Sequence, residues 1–421
     1  MPFKSMHIEN YKSIENVDLK FGKLNVLIGA NAAGKSNLIS VFRFINNIIQ
    51  FGIEDAVFSM GGIENVINYN HPRDPTKIAF EIDISDRRST FHKDSDNYAL
   101  RINSLSYSFS IKRNKRGNLE IIEDVATIST SIVEVISAKG KEPQESKNIL
   151  GKFDYHVCVD SRKKVHSNIN IDDTVPESIK KDIERNNLFT SINSIIQTDK
   201  KELILPYISV FTYFRRDGYS KVYDFNPKVL KTYSSVSYSS VLEGDGSNLA
   251  FILKHILNDR KKKEKLISHI HDILPFIDDI RISSGEDGRI SYSLNEIYSK
   301  KSCLSNYISD GTADIVALVV ALLFAHAPCL IFEEPENNIH PQLLARLMSH
   351  MKSTTEKTQI ILTSHSPELI NYVGIDNLLL VKREEGGQSV IVKPSDSPTV
   401  QEFIKNELNP GQLFIDGLLG D

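Results

Sequence analysis

Gly29-Ala30-Asn31-Ala32-Ala33-Gly34-Lys35-Ser36 is the stretch on which the fold turns. It fits the pattern G-x-x-x-x-G-K-[ST]. Leu24-Asn25-Val26-Leu27-Ile28 precedes it, a short apolar run that predicts a buried strand. Ile39, Phe42, Phe44, Ile45, Ile48 and Ile49 follow it and predict a helix from about Lys35 to Gln50. A glycine turn between a strand and a helix start presents backbone N–H groups to an anion, and the helix dipole favours the same charge. Lys35 is placed to reach the β and γ phosphates of a nucleotide, and the Ser36 hydroxyl to hold Mg²⁺. A chance glycine turn could match the pattern alone. The strand before it and the helix after it argue against chance.

Working outward, a site of this kind needs acids at a neighbouring strand end. Cys329-Leu330-Ile331-Phe332-Glu333-Glu334-Pro335-Glu336 supplies them. Four apolar residues predict a buried strand, and ligands bind beyond the carboxyl ends of such strands. Glu333 is expected in the Mg²⁺ shell and Glu334 beside the attacking water. Read alone, the run is also a strand followed by a solvated acidic turn. Thr358 to Leu362 predicts another apolar strand, ending in Thr363-Ser364-His365-Ser366-Pro367, where His365 could sense the γ-phosphate. Tyr307-Ile308-Ser309-Asp310-Gly311-Thr312 precedes a long apolar helix. It reads either as an ordinary helix cap or as a helix start facing the nucleotide of a second subunit.

The chain has 421 residues, of which 40% are hydrophobic and 25% charged, which excludes wholesale disorder. Fifty Lys and Arg against 54 Asp and Glu leave a net charge of −4, so no chain-wide basic coat for nucleic acid exists. The three cysteines, Cys158, Cys303 and Cys329, fit no metal spacing and no disulfide framework. The N-terminus lacks an apolar signal core. The longest apolar run, Ile315 to Ala325, falls short of a membrane span. These features predict a cytoplasmic protein with no membrane partner.

Four segments are expected: 1–137 with the phosphate loop and an antiparallel sheet, 138–202 as an insertion, 203–305 as a helical and strand lobe, and 306–421. Two strands are expected within residues 6–28 and one at 77–84. A hairpin is expected from 105–111 and 119–125 around the polar turn at 112–118. Residues 138–202 read as the least regular part, with one helix near Pro176 to Asn187. Residues 206–214 read as a strand, 246–270 as helical, and 278–294 as strands. His269 and His271 diverge on a helix and make a poor metal pair. The basic run Arg260 to Lys265 and the cations Arg113, Lys115 and Arg116 are candidate contacts for DNA.

The phosphate loop, ISDGT, IFEEPE and TSHS occur in an order that resembles ABC-type ATPase heads. The chain is most similar to the RecF/SMC-like branch, ATPases common in bacterial DNA repair and anti-phage defence. ENYKSIENVDLKFGKLNVLIGANAAGKSNLI at 9–39 carries that resemblance, with EGDGSNLAFIL at 243–253, EEPENNIHPQLL at 333–344 and the tail NPGQLFIDGLLGD. It covers roughly residues 3–135 and 203–421. It implies an α/β, ABC-type head with a mixed sheet, an antiparallel lobe and inserted helical segments, binding ATP and Mg²⁺. By position it implies a nucleotide cradle of Gly29, Asn31, Ala32, Ala33, Gly34, Lys35, Ser36 and Asn37. Lys12 and Ser13, within Asn10 to Ser13, would lie near the base. Ser36 and Glu333 would hold the metal. Glu334 corresponds to the catalytic glutamate and His365 to the switch histidine. Ser309, Asp310 and Gly311 correspond to the signature that completes a partner subunit's site.

The chain departs from the family at three points. The signature is SDGT where transporters have SGGQ. Glu333 stands where the family usually has Asp. The glutamine that usually joins the two lobes is not placed by the sequence, Gln50 being a poor candidate because it lies in the first helix. The resemblance implies an ATP-dependent homodimer or higher oligomer controlling a separately encoded effector in phage defence. The alternatives are a RecF-like DNA-binding repair ATPase and an ATP-bound scaffold with little turnover. About fifty residues follow the His365 strand in this sequence, so the Toprim nuclease domain of some relatives is not expected.

Overall fold

The computed structural model describes residues 2–84, 90–92, 98–136, 144–160, 164–186, 202–208, 218–234, 241–285 and 288–420. Two compact units interleave along the chain. The first holds Met1–Phe21, Phe44–Tyr219 and Glu384–Val390, and the second holds Gly22–Arg43, Ser220–Arg383 and Ile391–Asp421. Each unit pairs elements distant in sequence.

The first unit contains strands β1 (Phe3–Tyr11) and β2 (Ile14–Lys20). Together with β3 (Leu24–Ile28) of the second unit they make three strands over residues 3–28, where two were expected. The polar break at Lys12-Ser13 divides what reads as one stretch. Strands β4 (Thr76–Asp83), β5 (Thr90–His92), β6 (Tyr98–Arg113) and β7 (Leu119–Ile136) come next. β4 alternates buried and half-buried residues throughout, the period-2 pattern of a strand with one face on a core. β6 and β7 pair antiparallel, with Arg113 opposite Leu119 at the expected turn. β8 (Gln144–Val159) and β9 (Val165–Ile171) continue the antiparallel sheet, and helix Glu177–Asn186 comes after them. The helix fits the expectation. The two strands correct it: in Gly151 to Val157 a buried residue alternates with a more exposed one, the pattern of a half-buried strand. Residues 205–207 form a 3₁₀ turn, not the start of a strand, and the rest of the strand expected at 206–214 lies outside the described residues after Ile208.

In the second unit, β10 (Ser220–Tyr223), β14 (Cys329–Glu333), β15 (Gln359–Ser364), β3 and β16 (Leu378–Arg383) form a parallel sheet in the order β10-β14-β15-β3-β16. β11 (Ile277–Ser284), β12 (Ile290–Glu296) and β13 (Cys303–Leu304) make a separate antiparallel sheet. Ser389, which opens β17 (Ser389–Val392), lies in the first unit and pairs parallel with Ile14 of that same unit. Buried on both faces, β3 and β15 carry no exposed residue, as parallel strands under helices require.

Helices of this unit start where short polar side chains satisfy the first free amides. Ser309 caps Asp310–Phe324, and Ser366, Ser397 and Asn409 cap helices whose first residue is proline. The helical region expected at 246–270 is split into Leu249–Leu257 and Arg260–Ile273 because Asp259 caps the second helix, accepting from Lys261 and Lys262. Helix Asp310–Phe324 is buried from Ala313 to Leu322, the pattern of a core helix. Each buried Leu or Val there contributes about 1.5–3 kcal/mol. Among the described residues no helix is long and apolar enough to cross a membrane.

Candidate functional site

Parallel register brings the candidate residues to one edge. Tyr223 pairs with Phe332, Glu333 with Thr363, Ser364 with Ile28, and Leu380 with Ile28. The carboxyl ends of five strands thus open together, and the turns that leave neighbouring strands lie side by side.

The loop after β3 is built for close approach. Gly29 has φ 150°, and a Cβ on it would fall 2.2 Å from the Val381 carbonyl oxygen. Ala32 and Gly34 have φ of 62° and 113°. The Ala32 carbonyl accepts from Arg383 Nη1 at 3.1 Å. Helix Lys35–Phe51 begins at the loop, and its first amides have no intrahelical acceptor. Lys35 is buried, and its Nζ donates to the carbonyls of Gly29 at 2.7 Å and Ala30 at 3.1 Å. Burial pulls its ammonium below the ordinary range, against the charges of Glu334 and Glu336. Ser36 is exposed, and the Asn37 amide closes the first turn onto Gly34.

Glu333 ends β14. Its Oε1 accepts from Arg43 Nη2 at 2.5 Å. Burial raises its carboxyl; Arg43 opposes that rise, Asp224 and Glu334 add to it, and a hydrogen bond with Ser36 opposes it again. Glu334 comes next in the left-handed region, φ 45°. Its amide donates to Thr363, to the carbonyl at 3.1 Å and the hydroxyl at 3.0 Å, so the backbone is tied to β15. Its Oε2 accepts from Asn337 Nδ2 at 3.0 Å, and its Oε1 lies 3.4 Å from His365 Nδ1. Glu336 is buried, with Oε1 accepting from Ser364 Oγ at 2.5 Å and the His365 amide at 3.3 Å.

A pocket lined by Lys35, Ser36, Asp224, Glu333, Glu334 and Thr363 joins these groups. Ser36, Asp224 and Glu333 are hard oxygen donors beside one another, the donor type Mg²⁺ takes. Among the described residues no group of three or more His, Cys, Asp or Glu could hold a metal by itself.

Ser309 and Asp310 are exposed. Ser309 Oγ accepts from the Thr312 amide at 3.1 Å, and Asp310 pairs with Lys231. Lys12 and Ser13 belong to the first unit, where Ser13 Oγ meets Ser389 Oγ at 2.8 Å. Gln50 accepts from Asn46 in that unit, and no glutamine is among the described residues lining the pocket. Lys263 pairs with Asp279, Arg260 with Glu264 and Arg113 with Glu64, so the basic runs are partly neutralised.

Sequence reasoning missed Arg43 and Asp224. Arg43 lies seven residues after Ser36, two helical turns on the same face, which was a usable signal. Asp224 directly follows a strand of only four residues, Ser220–Tyr223.

The architecture and loop define a P-loop NTPase of ABC type. The chain matches the family described as "AAA domain, putative AbiEii toxin, Type IV TA system" over residues 24–131 and 161–371, and it belongs to that family. Its fold is that of SMC heads. "Crystal structure of the SmcHead bound to the C-winged helix domain of ScpA" aligns with a TM-score of 0.53 at 13% identity, covering 93% of this chain and 98% of the other. An SMC head domain from Thermotoga maritima aligns at a TM-score of 0.42 and 13% identity, covering 93% and 99%. No curated protein sequence matches the chain. ATP binding and hydrolysis are properties of the class to which it belongs.

Proposed function

We propose that this chain is an ATP-hydrolysing switch that pairs head to head through ATP and controls a separately encoded effector in bacterial anti-phage defence. The observation that carries the reading is the meeting, at one sheet edge, of the Lys35 loop, the Glu333–Glu334 strand end and His365. The family description, which names a toxin of a toxin–antitoxin system, supports the defence setting.

When bound, ATP supplies the phosphoanhydride bond and Mg²⁺ neutralises charge at its phosphates. The loop amides and Lys35 hold the phosphates. Ser36 and Glu333 hold the metal, with Asp224 beside them. Glu334 orients the attacking water and takes its proton at a carboxylate oxygen, and His365 Nδ1 steadies that carboxylate. The exposed Ser309 and Asp310, with the half-buried Gly311, would face the γ-phosphate held by a partner subunit. Hydrolysis then opens the pair and resets the effector.

Mixing Lys35→Ala with Ser309→Arg subunits tests the reading. Each variant alone should be inactive in ATP hydrolysis. Mixed pairs hold one site with both elements intact, so turnover should return. A purified wild-type chain without Mg²⁺-dependent ATP turnover would remove the hydrolytic part of the proposal, and absence of rescue at every ratio would remove the pairing.

A further inference from the structure

The turn after Glu334 is held from one side by the start of helix Asp310–Phe324. A Cβ on Gly311 would fall 2.1 Å from the carbonyl oxygen of Asn338 and 3.1 Å from its carbonyl carbon. Both are backbone atoms and cannot rotate away. Asn338 itself has φ 61°, a conformation Asn tolerates better than most residues. Its Nδ2 donates to Asp314 Oδ2 at 3.1 Å, one helical turn after Gly311. Asp314 is buried, and its Oδ1 has no hydrogen-bond partner.

The turn is stiff. The Asn337 amide donates to the Glu334 carbonyl at 3.0 Å, and the Ile339 amide to the Glu336 carbonyl at 3.1 Å. Asn337 Nδ2 then reaches the Glu334 carboxylate at 3.0 Å. A continuous set of contacts therefore runs from Gly311 and Asp314, through Asn338 and Asn337, to Glu334.

We propose that Gly311, Asp314 and Asn338 are positioning residues for Glu334 of their own chain. Gly311 is glycine because the helix start must lie against the Asn338 backbone. A push on this helix start, from phosphate or from a partner, moves the Glu334 turn of the same subunit. This proposal rests on the paired-head reading only for the source of the push.

The test uses the full chain in two measurements. Amide hydrogen exchange over residues 334–339 is followed in nucleotide-free wild type, Gly311→Ala and Asp314→Ala. Both variants should exchange faster there, and turnover should fall by roughly 10²-fold, the scale of a misplaced reacting group, while Asp314→Ala should still bind a non-hydrolysable ATP analogue with wild-type affinity. Asp314→Ala adds no atom, so it answers where Gly311→Ala fails to fold. Wild-type exchange over 334–339 in a folded variant overturns the proposal.

The second measurement separates action within the chain from action across the pair. Mixed with Lys35→Ala subunits, Gly311→Ala should give no rescue, because the site with an intact Lys35 holds the displaced Glu334. Ser309→Arg, mixed in the same way, should rescue. Rescue by Gly311→Ala as good as by Ser309→Arg overturns the proposal. Should Ser309→Arg also fail to rescue, the paired-head reading falls, and faster exchange at 334–339 still supports the contact within the chain.

Discussion

Nδ1 of His365 lies 3.4 Å from Oε1 of Glu334, and the two residues stand just beyond adjacent parallel strands. The approach is fixed from behind, because the Glu334 amide is bonded to Thr363 and the His365 amide to Glu336. Glu334→Gln keeps the shape and hydrogen-bonding reach of the side chain but removes its basicity. Analogue binding should stay near wild type, while turnover falls by about 10²-fold or more. The variant should accumulate as an ATP-bound assembly, read by gel filtration with and without ATP. Wild-type turnover would show that another acid activates the water.

Lys35 is the side-chain cation of the phosphate loop, and it is already desolvated. Its phosphate contact should contribute roughly 1.5–3 kcal/mol. Lys35→Ala should therefore weaken ATP binding by about tenfold or more. Calorimetric titration checks this, and an unchanged affinity would remove the phosphate-loop assignment.

Arg43 places a positive charge against the acid expected to face Mg²⁺. Its side chain is 45% exposed, so solvent screens much of that charge. Arg43→Gln should lower the Mg²⁺ concentration needed for half-maximal ATP turnover by several-fold, since like-charge repulsion near the metal is removed. An increased Mg²⁺ requirement would mean that Arg43 holds Glu333 in place for the metal.

The parallel core was legible in the sequence where a local pattern carries it. Leu24–Ile28, Cys329–Phe332 and Thr358–Leu362 are largely apolar runs, followed by the glycine loop, by Glu333 and by Thr363, and each became a strand ending at the candidate site. Asp224 escaped because Ser220–Tyr223 is short and half polar. The Asn338–Gly311 contact escaped because residues 27 apart meet through backbone atoms, which side-chain patterns do not encode. Strands β8 and β9 were hidden by exposed polar residues such as Asn148, Lys152, Ser167 and Asn168, although Gly151, Phe153, Tyr155 and Val157 alternate with more exposed neighbours.

Asp124, in the antiparallel sheet of the first unit, is 1% exposed. Its Oδ1 accepts from Tyr107 Oη at 2.6 Å and its Oδ2 from the Ile204 amide at 2.8 Å. Burial raises its carboxyl to about 7, against both hydrogen bonds. Because the folded value lies above the unfolded one, the folded chain binds the proton more tightly, and stability is lost as pH rises through 7. The contribution is full below about pH 4, the unfolded carboxyl's range, declines between there and about pH 7, and is flat above that. Asp124→Asn cannot ionise and should flatten this part of the profile. It gives up one of the two acceptors, so its stability near pH 5 should lie below that of wild type, and the gap should narrow towards pH 8. Urea unfolding of both proteins from pH 5 to pH 8 measures the difference. A gap that widens with pH would show that the folded chain keeps Asp124 charged.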